Sequence, residues 1–132
     1  MSTDRSWLLD QLCQNTAGVR HALLLSDDGL KTARDQNLDD DRADHLSAVC
    51  TGLLSLSNGL DQAFDTGGKA LSVAVDMPLV QVLVIGAGEG AILACMAEAE
   101  ADTGIVATAM AQLVERIADH LSVPARSART PS

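Results

Sequence analysis

One glycine-rich segment of the chain has the composition of a phosphate-binding loop. Gly86, Gly88 and Ala91 follow the apolar run LVQVLVI at the spacing of a loose dinucleotide fingerprint, in which a strand leads through glycines into a helix. That fingerprint also needs a helix next, then a parallel strand with an acidic residue about twenty positions on. No such strand follows, because the next strongly periodic segment is the last helix. The pattern therefore favours a hairpin turn, and we expect no cofactor.

The nucleophiles and bases of the chain form no recognisable catalytic motif. Nucleophilic catalysis needs a Ser or Cys within reach of a base that a third group orients. The three histidines fall on a predicted strand, a helix start and a helix end, namely His21, His45 and His120. The carboxylates of Glu98, Glu100 and Asp102 lie in a small-residue connection, which is typical of a solvated loop before a helix. We therefore expect a protein that is not an enzyme.

The cysteines and the N-terminus indicate a cytoplasmic protein. Cys13, Cys50 and Cys95 are far apart in apolar periodic segments, which suits buried free thiols better than a disulfide framework or a metal site. The opening MSTDRSWLLDQ lacks the long apolar region of a signal peptide. The longest apolar run is far below the roughly 20 residues that cross a bilayer. We expect no membrane insertion.

Length and charge limit the class of protein further. The 132 residues suffice for a single domain, which we place at residues 1–121, and the Ser-, Pro- and Arg-containing tail 122–132 is predicted to be disordered. A net charge of −9 disfavours attraction to phosphate backbones. One Phe, one Trp and no Tyr leave no stacking platform for single strands. We expect no nucleic-acid binding.

Hydrophobic periodicity predicts the elements that must position these residues. They are a helix at 4–15, hairpin strands at 19–26 and 30–34, a long helix at 40–65, strands at 70–75 and 79–85, and a last helix from about 103 to 121. Residues 91–96 are ambiguous, because their Ala content favours helix and their position after a glycine-rich turn favours a strand. The carboxylates at the start of the long helix are predicted to cap it rather than to bind calcium: Asp39, Asp40, Asp41 and Asp44.

The long helix has the most informative pattern. Residues 45–60 contain no Lys, Arg, Asp or Glu, although the chain is strongly charged. Its apolar residues recur at three- and four-residue steps, as expected for one helix face. They are Leu46, Val49, Cys50, Leu53, Leu56, Leu60 and Phe64.

A second row on this helix contains only small residues, namely Ala48, Gly52, Ser55 and Gly59. A glycine inside a helix costs about 1 kcal/mol relative to Ala, and the close approach of another backbone would account for two of them. Either the helix is buried within its own domain, or it packs one face on its sheet and another on a second subunit.

The order of elements and four segments of the chain resemble the bacterial roadblock family, relatives of dynein light chains. The segments are GVRHALLLSDDGL, HLSAVCTGLLSLSNGL, VQVLVIGAGEGAILACMAE and DTGIVATAMAQLVERIADHL, and the resemblance covers about residues 5–122. It implies an α/β sandwich with the element order α-β-β-α-β-β-β-α. The expected fold is a five-stranded antiparallel sheet with the long helix on one face and the two terminal helices on the other. Residues 91–96 then become a strand.

The resemblance also implies a function. Roadblock proteins are non-enzymatic homodimers in which the long helices pair and edge strands join the two sheets. They act as platforms for Ras-like small GTPases, sometimes stimulating GTP hydrolysis, and often accompany a sensor-kinase-like protein. The dimer interface would include Ala48, Gly52, Ser55, Leu56 and Gly59, and the candidate GTPase-docking residues are Asp40, Asp41 and Asp44.

The sequence departs from the family pattern at one point, and two alternative functions remain open. The pair Met77–Pro78 stiffens the connection after a strand, which puts the pairing of that strand in question if it forms the dimer edge. The alternatives to a GTPase regulator are a dimerisation module of another complex and a small-ligand sensor or cryptic enzyme that uses a pocket of the sheet.

Overall fold

The structure, a computed structural model, describes residues 5–88 and 90–129, with side chains described up to residue 119. Its helices are α1 (Ser6–Asn15), α2 (Asp40–Phe64) and α3 (Thr103–Arg129). Its strands are β1 (Val19–Ser26), β2 (Lys31–Arg34), β3 (Ser72–Asp76), β4 (Val80–Gly86) and β5 (Ala91–Glu98). This order matches the predicted one.

The strands form one antiparallel sheet in the order β2-β1-β5-β4-β3. β5 lies in its centre, with Leu93 opposite Leu24 of β1 and Ala94 opposite Val84 of β4. The ambiguous Ala-rich segment is therefore a strand, because pairing on both edges outweighs the helix propensity of Ala.

Each face of the sheet has its own hydrophobic core. The core under α1 and α3 includes Leu8, Leu9, Leu12, Leu24, Leu93, Val106, Met110, Leu113 and Ile117. The core under α2 includes Leu23, Leu25, Leu46, Cys50, Leu54, Val82, Val84 and Ile92. β4 contributes to both cores, as its nearly continuous apolar run predicts. The α/β sandwich with one helix on one face and two on the other is confirmed.

The terminal helices differ in detail from the predictions. On α1, Trp7 is 45% exposed beneath the Arg116 guanidinium, whereas Leu9 is fully buried. α3 extends to Arg129, beyond the predicted end near Leu121. Residues 130–132 lie outside the described part of the chain, and for them the predicted disorder stays a prediction.

Candidate protein-interaction surface

Only part of the apolar pattern of α2 faces the sheet. Leu46, Cys50 and Leu54 are buried against it, together with Ala43 and Ser47. The sequence places seven apolar residues on one face, and the structure divides them. Val49, Leu56, Leu60 and Phe64, here called the outer apolar row, are exposed to solvent by 42%, 80%, 55% and 72%. The seven residues do share one side of the helix, since about 3.6 residues per turn place them within about a third of its circumference, but the sheet covers only part of that side.

The small-residue row lies on the side of α2 away from the sheet. Ala48, Ser55 and Gly59 are exposed and Gly52 is partly exposed. A Cβ atom added at Gly52 or Gly59 would meet no heavy atom within 4 Å among the described residues. The hypothesis of a helix buried all round within its own domain is therefore wrong. Packing inside the described domain does not account for these two glycines.

A free strand edge lies next to α2. β3 is the last strand of the sheet and pairs only with β4 among the described strands. Its residues Val73 and Val75 pack against the core under α2 but remain partly exposed. Leu71, just before the strand, is 87% exposed. We call the outer apolar row together with β3 and Leu71 the α2–β3 surface.

The Met77–Pro78 pair does not disturb the inner edge of β3. All five residues from Ser72 to Asp76 pair with β4 in unbroken register. The Met77 N–H donates to the carbonyl oxygen of Val80 at 2.8 Å, which closes the turn between the strands. Pro78 lies inside that turn, where no ladder hydrogen bond is lost.

The acidic start of α2 is capped as predicted. The Asp39 carboxylate accepts a hydrogen bond from the Arg42 N–H at 3.2 Å, the geometry of an N-cap.

Two of the three candidate docking carboxylates are already paired within the protomer. Asp40 lies 2.9 Å from Arg34 Nη1, and Asp44 lies 2.7 Å from Lys31 Nζ. The hydrogen bond that Lys31 donates to the Asp44 carboxylate raises the pKa of Lys31 above its ordinary value. Asp41 is exposed and makes no ion pair within the described side chains. It is the carboxylate of the three that is most available to a partner.

The protein-family model of the Roadblock/LC7 domain matches residues 5–97 of the chain. The chain belongs to the Roadblock/LC7 domain family. A solved Roadblock/LC7 domain from Streptomyces avermitilis is 36% identical, with a TM-score of 0.83, and the match covers 89% of this chain and 98% of that one. A second structure of such a domain from that organism is 30% identical, with a TM-score of 0.72, and covers 86% and 97%.

A more distant structure shares the fold. The gliding protein MglB from Thermus thermophilus is 21% identical, with a TM-score of 0.76, and the match covers 90% of this chain and 91% of that one. At this identity the likeness shows the fold alone. No curated protein matches the chain.

In this roadblock protein the glycine-rich segment is the turn of a β4–β5 hairpin. The Ala87 N–H donates to the carbonyl oxygen of Ala91 at 2.8 Å, and the Ala91 N–H donates to that of Gly88 at 2.9 Å. Gly88 and Gly90 have φ angles of 78° and 76°, which favour glycine. Glu89 lies outside the described residues. The hairpin is confirmed, and strand β5 takes the place that a helix N-terminus has in a phosphate-binding loop.

His21 forms a structural pair that the sequence does not reveal. Its Nδ1 lies 3.2 Å from Oδ2 of Asp35, a residue that is only 1% exposed. The Asp35 carboxylate also accepts hydrogen bonds from the N–H groups of Ala22 at 2.9 Å and Asn37 at 3.2 Å. It thereby holds the connection before α2 against β1. Asp35 opens a polar run, DQNLDDD, in which nothing distinguishes it from exposed turn residues.

The cysteines of the roadblock protein are buried or partly buried. His45 is exposed near the start of α2, and the side chain of His120 lies outside the described residues. Burial raises the pKa of Cys50 to about 11 and, with a contribution from the Asp35 charge, that of Cys95 to about 12. Burial, then Asp35, also raises the pKa of Cys13 to about 12. Thiols that stay protonated at neutral pH are poor nucleophiles and metal ligands.

Metal clusters and membrane spans are both absent from the described part of the chain. Its residues contain no group of three or more His, Cys, Asp or Glu side chains that could hold a metal ion. No helix among them is both long and apolar enough to span a bilayer.

Proposed function

We propose that this roadblock protein is a non-enzymatic, cytoplasmic homodimer that regulates or scaffolds a Ras-like small GTPase in a bacterial signalling system. The observation that carries the proposal is the α2–β3 surface. Soluble monomers rarely leave an apolar row and a neighbouring unpaired strand both open to water. The resemblance to the roadblock family supports the class of partner.

The α2–β3 surface suits a second copy of the same chain. In a two-fold dimer the same patch meets itself, so two β3 edges would pair antiparallel and extend the sheets into one. The two α2 helices would then lie side by side. Large residues such as Leu56 on one helix could fit over Gly52 and Gly59 on the other. The proposed interface therefore keeps the predicted residues Ala48, Gly52, Ser55, Leu56 and Gly59, and adds Val49, Leu60 and Phe64.

The paired α2 helices would present a continuous ridge for the GTPase across the two-fold axis. A partner that sits on the axis contacts both protomers, so we expect one GTPase per dimer. Asp41 marks the acidic end of the ridge, while Asp40 and Asp44 already form ion pairs with Lys31 and Arg34. Charge complementarity between this acidic end and a basic patch on the GTPase should raise the rate at which the two proteins associate. Added salt should change that association rate more than the dissociation rate.

The test is to mix the protein with the small GTPase encoded nearest to it, loaded with GDP or with a GTP analogue. Calorimetry gives affinity and stoichiometry, stopped flow gives the rates, and phosphate release gives hydrolysis. Asp41→Lys should lower the association rate. Glu115→Lys, the same charge change on an exposed residue of α3 on the other face of the sheet, should leave it nearly unchanged.

The outcomes separate the regulator from its nearest alternative. Binding of either nucleotide form at one GTPase per dimer supports the regulator. A dimer that binds neither form would refute it and leave a dimerisation module of another complex. A sensor-kinase-like protein stays a further predicted partner, which a pull-down with this protein as bait can test.

A further inference from the structure

A cleft lies on the face of the sheet opposite α2, where the end of α1, the start of β1 and the start of α3 meet. Its volume is about 330 Å³. We call it the α1–α3 cleft. Its apolar floor is formed by Ala17, Gly18, Ala101 and Ile105, and its rim by Glu98, Glu100 and Asp102. Ile105 is 59% exposed, and it also lines an adjoining cleft that continues along α3 to Gln112.

The floor of the cleft is built from tightly connected backbone. Gly18, with a φ of 88°, approaches Ala101 so closely that an added Cβ would lie 2.6 Å from the Ala101 Cβ. The Glu98 N–H donates to the Gly18 carbonyl oxygen at 2.8 Å, and the Ala101 N–H donates to that of Glu98 at 3.0 Å. A partner would therefore meet a preformed surface, and little ordering would oppose its binding.

The buried side chain of Gln81 holds the connection between β5 and α3 in place through hydrogen bonds. Gln81 is 3% exposed, and its Nε2 donates to the carbonyl oxygen of Ala101 at 3.0 Å. Its Oε1 accepts from the Thr103 hydroxyl at 2.7 Å, which ties the first residue of α3 to β4.

The rim of the cleft carries more negative than positive charge. Glu98 pairs with Arg20 at 3.5 Å, and the Asp102 carboxylate accepts a hydrogen bond from the Ile105 N–H at 3.1 Å. Glu100 is exposed and makes no ion pair within 4.0 Å among the described side chains. A second copy of a chain with a net charge of −9 would add like charge here. A Lys or Arg side chain fits better, because its aliphatic stem can lie on an apolar floor while its charged end meets carboxylates.

We propose that the α1–α3 cleft binds a basic segment of a partner protein. An apolar side chain of that segment covers Ile105, and a neighbouring Lys or Arg side chain meets Glu100. The cleft and the α2–β3 surface lie on opposite faces of the sheet, so the two can be occupied together. The proposal is independent of the proposed GTPase partner.

The test uses a short fluorescein-labelled peptide that alternates Lys and Leu, with fluorescence anisotropy as the measurement on the full-length protein. Two further peptides replace every Lys by Glu or every Leu by Gly. We expect the Lys–Leu peptide to bind with an affinity that falls as salt is added, and both altered peptides to bind at least about tenfold more weakly.

Matched variants locate the binding site. Ile105→Asp should weaken binding at least about tenfold, because it removes the apolar floor contact. It should leave the fold intact, since Ile105 is exposed and an Asp in the first turn of α3 favours the helix. Glu100→Lys should weaken binding and lower its salt dependence. Leu30→Asp is the control, because Leu30 is similarly exposed, at 66%, and follows Asp27 and Asp28 in the β1–β2 turn.

Amide chemical-shift changes on titration with the Lys–Leu peptide should be confined to residues 15–20 and 98–112. Thermal melts by circular dichroism check that each variant folds. The proposal is overturned if the Lys–Leu peptide does not bind at millimolar concentration, if Ile105→Asp binds it as tightly as the unaltered protein, or if Leu30→Asp weakens binding to the same extent.

Discussion

Replacing Leu56 by Ala should weaken the proposed dimer and leave the protomer intact. Leu56 is 80% exposed in the protomer, so it contributes little to the free energy of unfolding, and Ala is the best helix former. The change removes about three methyl or methylene groups, each worth about 0.8 kcal/mol when buried. With four-fifths of that surface newly buried at the interface, the loss is about 2 kcal/mol for one copy and at most about 4 kcal/mol for two. The dissociation constant should rise by about 30- to 700-fold.

Leu54→Ala is the matched control, because it makes the same change two positions away on the same helix. Leu54 is 8% exposed and packs against the sheet. Its truncation should lower the free energy of unfolding by about 2–5 kcal/mol and alter the interface only indirectly. Sedimentation velocity over a concentration series gives the dissociation constant. Urea unfolding at the lowest usable concentration gives the stability of the protomer.

Leu56→Ala should thus weaken association without lowering the stability of the protomer. Leu54→Ala should lower the stability of the protomer and alter association only indirectly. If Leu56→Ala dissociates at the same concentration as the unaltered protein, the outer apolar row does not form the interface. An unaltered protein that is monomeric at micromolar concentration would refute the dimer itself.

Three individual residues give further predictions. Gly52→Leu should dissociate the proposed dimer, because it overpacks the proposed contact between helices. It should not unfold the protomer, because an added Cβ meets nothing within 4 Å in the described domain; light scattering that still shows a dimer would contradict this. Asp35→Asn should lower the free energy of unfolding by about 1.5–3 kcal/mol, because a buried carboxylate that accepts several hydrogen bonds is replaced; an unchanged urea midpoint would contradict this. Stability should fall as pH rises from 9 towards 12, because the Cys95 thiol, with a pKa raised from 9.0 to about 12, ionises in the unfolded chain first. Cys95→Ala should reduce that loss, and an identical pH profile in this variant would exclude Cys95 as its cause.

Local signals in the sequence were sufficient to predict most of the helices, strands and turns. Asp39 was predicted to cap the long helix, and its carboxylate does accept a backbone N–H there. The glycines after LVQVLVI were predicted to form a hairpin turn, and Gly88 and Gly90 have the positive φ angles that such turns use. These features depend on a few neighbouring residues, so periodicity and turn chemistry are enough to predict them.

Those local signals could not predict contacts between residues that lie far apart in the sequence. The spacing of apolar residues on α2 predicts a helix, but its rotation on the sheet decides that Leu54 is buried and Leu56 is exposed. The pairing of His21 with Asp35 likewise needs β1 and the end of β2 to be adjacent.

The sequence by itself determined that this chain resembles a roadblock domain and where most of its helices, strands and turns lie. Only the tertiary structure decided which row of α2 remains open, that β3 is a free edge beside it, and that Asp40 and Asp44 are already paired. The physical reason is that a periodic pattern specifies the faces of an element, whereas burial depends on which other element packs against each face.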